Sequence, residues 1–124
     1  MLQEAKQVQE KDIERKLHKG VKDTKSGALC LKFVSPGFNG VPDRMILLPG
    51  EKVIFVETKK PGEKERARQE YVHSLFRALG FEVYSTVDNP EYVQEILNRC
   101  KEVIEVEKLC PTQLSTILHR QDNQ

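Results

Sequence analysis

The stretch that decides the fold runs from residue 40 to residue 59 and reads GVPDRMILLPGEKVIFVETK. Two apolar β-type runs, 44–48 and 53–56, are separated by Pro49-Gly50-Glu51-Lys52, a sequence typical of the turn between antiparallel strands. This part of the chain is therefore predicted to form a β-hairpin with an apolar body and polar residues at its open end.

The polar residues at the open end of the hairpin are predicted to lie close together. A turn centred just after Gly50 makes the numbers of opposed residues sum to about 101, which places Asp43 opposite Thr58. Because side chains alternate along a strand, Glu57 and Lys59 share one face and Thr58 points to the other.

This arrangement predicts a metal-assisted chemistry. The carboxylates of Asp43 and Glu57 repel each other unless a cation or a proton lies between them, and hard oxygen ligands suit Mg²⁺ or Mn²⁺. Lys59 could orient the attacking water or balance the negative charge, so the residues suggest attack of water on a phosphodiester. On spacing alone, such residues at strand ends more often form a solvated rim with a surface ion pair.

The segments on either side of the hairpin predict a mixed sheet flanked by helices, an α/β fold. Apolar spacing predicts helices over 4–21 and 63–79, the second ended by Gly80, and a third that begins at Pro90 with Asn89 as its N-cap. Strands are predicted over 28–34 and 81–87, which gives the order αβββαβα. Residues beyond Cys100 are interpreted either as a continuation of the third helix or as an edge strand, and 112–120 as a short final helix.

The chain is 124 residues long, which allows one domain with a single core. No apolar run approaches a membrane span or the core of a secretory signal, so a cytoplasmic protein is expected. The three cysteines lack the spacing of a disulfide framework or a zinc site.

Charge is distributed unevenly although the net charge is only +1. Residues 1–35 carry a net charge of +3, and so do residues 59–77, whereas residues 82–124 carry a net charge of −4. A basic face of this kind can bind phosphates despite the neutral total, although ordinary solvated helix faces have the same pattern.

Several motifs in a fixed order resemble those of a known family. Gly-Val-Pro-Asp-Arg at 40–44, followed by Glu-Thr-Lys at 57–59, resembles the PD-(D/E)xK nuclease signature, and more narrowly the VRR-NUC domain. The similarity extends over residues 8–98. It includes Glu-Lys-Asp-Ile-Glu-Arg-Lys-Leu at 10–17, Leu-Lys-Phe-Val-Ser-Pro-Gly at 31–37, Gln69, and Leu-Gly-Phe-Glu-Val-Tyr at 79–84.

The resemblance implies a restriction-endonuclease-like fold and a role for each matched residue. It implies that Asp43, Glu57 and the Thr58 carbonyl are metal ligands, that Lys59 serves the water nucleophile, and that Gln69 supports the site. It also implies a glutamate from the first helix, and Glu10 and Glu14 remain alternatives on one face of that helix. Plausible phosphate contacts are Lys32, Arg44, Lys60, Arg66 and Arg68.

The resemblance further implies a homodimeric DNA endonuclease that requires Mg²⁺ or Mn²⁺, uses no small-molecule cofactor and cuts branched DNA such as four-way junctions. A flap- or end-directed phage nuclease, and a DNA-binding module with a vestigial site, are the alternatives. The nuclease domain is expected over 1–100 and a C-terminal extension over 101–124, which has no counterpart in the family.

Tyr71 and Phe76 are interpreted as core residues, and His73 as a surface or half-buried histidine.

Overall fold

The computed structural model describes residues 9–108 as a four-stranded sheet with three helices. The elements, in chain order, are α1 (Glu10–Asp23), β1 (Leu29–Lys32), β2 (Arg44–Leu48), β3 (Lys52–Thr58), α2 (Ala67–Ala78), β4 (Glu82–Val87) and α3 (Pro90–Lys108). The predicted α/β fold and the order αβββαβα are confirmed.

The sheet is mixed and its strands lie in the order β1-β2-β3-β4. The β1–β2 and β2–β3 pairs are antiparallel, whereas β3 and β4 are parallel. Arg44 pairs with Val56, whereas the predicted register pairs it with Glu57. The register is therefore shifted by one residue, and the placement of Asp43 opposite Thr58 was wrong. The turn is centred on Gly50 because both Gly50 and Glu51 have positive φ, 80° and 64°.

The main core lies between one face of the sheet and the pair α1–α3. Ile13, Leu17 and Val21 recur every four residues along α1 and are fully buried. They pack with Ile46 and Ile54 from the sheet. This packing fixes α1 against the sheet and brings its N-terminal turn to the open end of the hairpin.

On the opposite face of the sheet, α2 covers β3 and β4 but leaves β1 uncovered. Phe76 of α2 packs against Phe55 of β3 with ring centroids 4.8 Å apart, which confirms Phe76 as a partly buried packing residue. Tyr71 is 56% exposed, so its interpretation as a core residue was wrong. On β1, at the uncovered edge of this face, Leu29 and Leu31 are 53% and 41% exposed.

The starts of α2 and α3 can be compared with the prediction. Helix α2 begins at Ala67 rather than 63, because Arg66 is still extended at φ −80° and ψ 152°. Asn89 is the predicted N-cap of α3, since its Oδ1 accepts a 2.8 Å hydrogen bond from the N–H of Tyr92.

Beyond Cys100 the chain continues as α3 to Lys108, which excludes the edge-strand alternative for this part. The helix thus crosses the expected boundary at residue 100, and the division into 1–100 and 101–124 stays a prediction. The helix predicted over 112–120 lies outside the described residues. Within residues 9–108, no helix has both the length and the apolar composition that crossing a bilayer needs.

Candidate active site

The open end of the hairpin meets the first turn of α1 in a group of three carboxylates, here called the acidic cluster: Glu10, Glu14 and Asp43. One oxygen from each lies within 4.8 Å of the others. Glu10 and Glu14 are one helical turn apart, so both point to the same place. The structure therefore brings both of the alternative glutamates to Asp43.

The hydroxyl of Thr58 lies in the middle of the acidic cluster. Its Oγ1 is 2.7 Å from Asp43 Oδ2 and 3.3 Å from Oε1 of both Glu10 and Glu14. A hydroxyl has a single hydrogen to donate, and the shortest contact takes it. The Thr58 hydroxyl therefore cannot balance all three carboxylates at once, and a bound cation would relieve their mutual repulsion.

The expectation that the Thr58 side chain points away from the site was wrong. Alternation along β3 does send Glu57 and Thr58 to opposite faces, as predicted. However, the Asp43 carboxylate lies on the Thr58 side, toward α1, rather than on the Glu57 side. The packing of α1 on this face of the sheet, which brings Glu10 and Glu14 to Asp43, decides the side.

A second group of side chains, here called the Glu57 group, lies on the other side of the β3 end and consists of Glu57, Lys59 and Gln69. Lys59 Nζ is 3.4 Å from Glu57 Oε1 and donates a 3.1 Å hydrogen bond to Gln69 Oε1. Gln69 Nε2 in turn donates to Glu57 Oε1 at 3.0 Å. The predicted meeting of these three residues is therefore observed, and Glu57 and Lys59 are both buried.

The backbone of the hairpin joins the two groups. The N–H of Asp43 donates to Glu57 Oε2 at 2.9 Å, and the N–H of Thr58 donates to Asp43 Oδ1 at 3.2 Å. Strand β4 supports this end through a bulge at Thr86, whose φ is 56°, after which Val87 pairs with Thr58. Both carboxylates are therefore held in fixed positions by main-chain donors.

Burial raises the pKa of three carboxyl groups of the site, those of Glu57, Asp43 and Glu10. It raises the pKa of Glu57 to about 7, assisted by the negative charge of Asp43 and opposed by Lys59. The pKa of Asp43 is raised mainly by burial, against the hydrogen bonds from Thr58. Burial and the charge of Glu14 also raise the pKa of Glu10. Without a counter-charge, the site therefore resists full ionisation.

The predicted phosphate contacts fall into two kinds. Lys32, Lys60 and Arg66 are exposed around the site. Arg44 is instead engaged, because it forms a 2.8 Å ion pair with Glu14 and donates to the Asp43 carbonyl at 3.0 Å. It thus helps to hold the acidic cluster.

Arg68, at the start of α2, is also engaged, because its side chain contacts the loop that precedes β2. Its guanidinium lies over the rings of Phe38 and Tyr71, at 5.0 and 5.6 Å from the ring centroids, and donates to the Asn39 carbonyl. The side chain therefore fastens this loop to α2.

A buried histidine was missed by the sequence interpretation. His73 is fully buried on α2, so its interpretation as a surface or half-buried histidine was wrong. Its Nδ1 contacts Ser85 Oγ at 2.8 Å and lies beside the carboxylate of Glu65. Burial lowers the pKa of His73, against the pull of Glu65. It lies one turn after Gln69, and helical spacing with Val72 and Phe76 was the only available signal.

Comparison with known proteins places this geometry in a family. No family model matches the chain. A protein of Acyrthosiphon pisum secondary endosymbiont phage 1, described as "Putative nuclease p44", is 47% identical over 76 residues, which are 61% of this chain and 80% of that protein. A solved VRR-NUC domain has the same fold, with a TM-score of 0.62 and 24% identity over 72% of this chain and 94% of that one. At this identity and coverage, the chain belongs to the same family of nucleases as the phage protein, and it has the fold of a VRR-NUC domain.

Proposed function

We propose that this nuclease is a DNA endonuclease that requires Mg²⁺ or Mn²⁺ and hydrolyses a phosphodiester bond at the open end of the hairpin. The observation that carries the proposal is the convergence of three carboxylates on the Thr58 hydroxyl, with one oxygen of each within 4.8 Å of the others. The family relationship supports the same chemistry.

The residues present fit a divalent cation. The acidic cluster offers three carboxylate oxygens within 4.8 Å of one another, and hard cations of this type prefer oxygen ligands. Asp43, Glu10 and Glu14 would hold the ion, with Glu57 and the Thr58 carbonyl as further candidates. A divalent ion would supply Lewis-acid polarisation of the phosphate and a lowered pKa for water.

The Glu57 group contributes positioning and charge. Lys59 is buried and held by Glu57 and Gln69, so its ammonium has a fixed place at the end of β3. A fixed cation next to the reacting phosphate stabilises the negative charge that develops during attack and orients the attacking water. Gln69 fixes Glu57 and Lys59 together through its two polar atoms.

The proposal includes assembly as a homodimer that acts on branched DNA. Leu29 and Leu31 on β1 lie beside Met45 and Leu47 on β2, and α2 does not cover this part of the sheet. An exposed apolar face of this kind is typical of a protein interface. Two active sites related by a two-fold axis could cut two strands of a four-way junction, whereas a single site nicks one.

The experiment that tests the catalytic proposal compares DNA structures, metals and variants. Labelled four-way-junction, flap, duplex and single-stranded DNA are incubated with the protein in Mg²⁺, Mn²⁺ or chelator. We expect metal-dependent cutting, fastest on the junction, that is abolished in Asp43→Asn and Glu57→Gln. Glu95→Gln, which neutralises an exposed carboxylate on α3, is the matched control and retains full activity.

Two outcomes would contradict parts of this proposal. Binding without cutting in every metal would indicate a DNA-binding module with a vestigial site. Fastest cutting of flaps or ends would indicate the flap-directed alternative.

The dimer is tested separately by light scattering on the eluted protein. Wild type is expected at twice the chain mass and Leu31→Glu as a monomer, while Leu79→Glu, at an exposed leucine after α2, remains a dimer. A monomeric wild type would contradict this part.

A further inference from the structure

We propose that a cleft between α1 and the ends of β1 and β2 binds the sugar-phosphate backbone of the DNA strand on one side of the cut. The cleft has a volume of about 340 Å³ and is lined by Lys11, Glu14, Arg15, His18, Cys30, Lys32 and Arg44. The identity of the ligand rests on the proposed function, whereas the polyanion-binding character of the cleft rests on its own residues.

One wall of the cleft is a stripe along α1. Lys11, Arg15 and His18 are separated by four and three residues, which is the spacing that places side chains on one face of a helix. Seven residues of helix correspond to a length of about 10 Å. The stripe therefore offers donors along a path rather than at one point, as an extended chain of phosphates requires.

The opposite wall comes from the sheet. Lys32, the last residue of β1, pairs with Arg44, the first residue of β2, so both lie at the same end of the sheet. Within residues 9–108, neither Lys11 nor Lys32 forms an ion pair. Arg15 reaches Asp12 only at 4.0 Å, with both side chains largely in solvent. Lys11, Arg15 and Lys32 are thus available to an incoming anion.

The composition of the cleft selects the class of ligand. Glu14 is the only carboxylate in its lining, and its charge is already balanced by Arg44 at 2.8 Å. Cys30 is the only side chain without a charge or an ionisable nitrogen, so an apolar small molecule would find little to contact. Lysine and arginine donors arranged along a path are typical of contacts to nucleic-acid phosphates.

The cleft is continuous with the acidic cluster. Glu14 belongs to both, and Arg44 joins them through its ion pair with Glu14. On α1, Lys11 and Arg15 each follow a glutamate of the cluster by one residue. If the phosphates of a DNA strand lie along the cleft, the phosphates that follow on the same strand would therefore lie at the acidic cluster. This gives the cleft a role in setting which phosphate is cut.

A second cleft provides the matched comparison. It lies between α1 and α3, has a volume of about 300 Å³ and includes Lys16, Lys19 and Lys101, but it shares no residue with the acidic cluster. Lys19 is bound to Asp23 at 3.1 Å, as Arg15 is to Asp12 at longer range. Replacing Lys16 and Lys19 thus removes the same number of charges from the same helix as replacing Lys11 and Arg15.

The test measures DNA affinity as a function of salt by fluorescence anisotropy, in an Asp43→Asn background so that the DNA stays intact. Lys11→Ala with Arg15→Ala is expected to weaken binding roughly tenfold and to reduce the slope of log K against log salt by about 2. Lys16→Ala with Lys19→Ala is expected to stay within about twofold of the parent. Equal losses in the two pairs, or no loss in the first, would overturn the proposal.

A second readout needs no substitution in the cleft. Cys30 lies in the cleft and is half-buried, whereas Cys100 is buried in the core. Burial raises the pKa of the Cys30 thiol to about 11, so alkylation is followed at alkaline pH. DNA is expected to slow alkylation of Cys30 several-fold and to leave Cys100 unchanged. An unchanged Cys30 rate at saturating DNA would contradict occupation of the cleft.

The two proposals fail in distinguishable ways. If the wild type binds DNA through the cleft but cuts nothing in any metal, the nuclease proposal fails and the cleft stands. If the wild type cuts DNA, and the Lys11 and Arg15 double variant binds and cuts as well as wild type, the cleft proposal fails alone.

Discussion

Thr58 holds both oxygens of the Asp43 carboxylate, with its hydroxyl at 2.7 Å from Oδ2 and its main-chain N–H at 3.2 Å from Oδ1. The carboxylate is therefore oriented by the residue between Glu57 and Lys59, whose own side chains lie on the opposite face of β3. This single residue links the acidic cluster to the Glu57 group. It also explains why a small β-branched residue with a hydroxyl suits this position.

Thr58→Val is expected to destabilise the metal-free protein by about 1–3 kcal/mol. Valine keeps the shape but removes the hydrogen that Asp43 Oδ2 accepts, which leaves a buried carboxylate oxygen unpaired beside two glutamates. Thr58→Ser keeps the hydroxyl and is the control, with the smaller loss that one methyl group accounts for. The free energy of unfolding is measured by urea titration in chelator, and equal stabilities of the valine and serine variants would contradict the assigned role.

Added Mg²⁺ or Mn²⁺ is expected to raise the melting temperature of the wild type. An ion that binds only the folded state at a hundredfold excess over its Kd contributes about 2.7 kcal/mol. Asp43→Asn removes the carboxylate that contacts Thr58, so most of this increase should be lost, whereas Glu95→Gln should keep it. Calorimetry at several metal concentrations checks this, and an unchanged wild-type melting temperature would contradict a cation site.

The metal-free protein is expected to lose stability as the pH rises from about 5 to 8. Because the pKa of Glu57 is raised from 4.5 to about 7, the folded state binds this proton more tightly than the unfolded state. The folded state is therefore favoured at low pH, and that advantage disappears as the pH passes 7. Over this range the wild type should lose roughly 2 to 3 kcal/mol more than Glu57→Gln.

The comparison of Glu57→Gln with wild type isolates this carboxylate, because the other titrating groups are present in both proteins. Urea unfolding in chelator at pH 5, 6, 7 and 8 gives the two curves. Parallel curves would show that Glu57 titrates near its ordinary value in the folded protein.

The hairpin and the element order could be predicted from sequence because the signals were local. The turn at residues 49–52 and the apolar runs beside it define β2 and β3, and Asn89 and Gly80 mark helix ends by their own chemistry. The register was one residue off because positive φ at Glu51 moves the centre of the turn, and this conformation is rare outside glycine.

The distribution of the site over two faces could not be predicted from local signals. Whether Asp43 turns toward Glu57 or toward Thr58 depends on the packing of α1, which brings Glu10 and Glu14 to one face only. Burial of His73 and exposure of Tyr71 depend equally on how α2 is rotated against β4. The periodicity of apolar residues predicts which face of a helix is apolar, but it does not predict how much of that face the rest of the protein covers.

Gly20→Ala is expected to destabilise the protein, although alanine is the better helix former by about 1 kcal/mol. Gly20 lies in the C-terminal half of α1, where α3 crosses it, and a Cβ there would overlap with the side chain of Leu97. Because Leu97 is buried in the core, it cannot move without disturbing its neighbours. We expect a net loss of roughly 1–3 kcal/mol in the free energy of unfolding.

A double-mutant cycle with Leu97→Ala checks the cause of that loss. Leu97→Ala alone should be destabilising because it leaves a cavity, but in its presence Gly20→Ala should become neutral or stabilising, since the overlap is gone. The coupling free energy of the cycle is obtained from urea unfolding of the four proteins. A Gly20→Ala loss that persists unchanged beside Leu97→Ala would show that another contact, not the crossing of α1 and α3, requires glycine at this position.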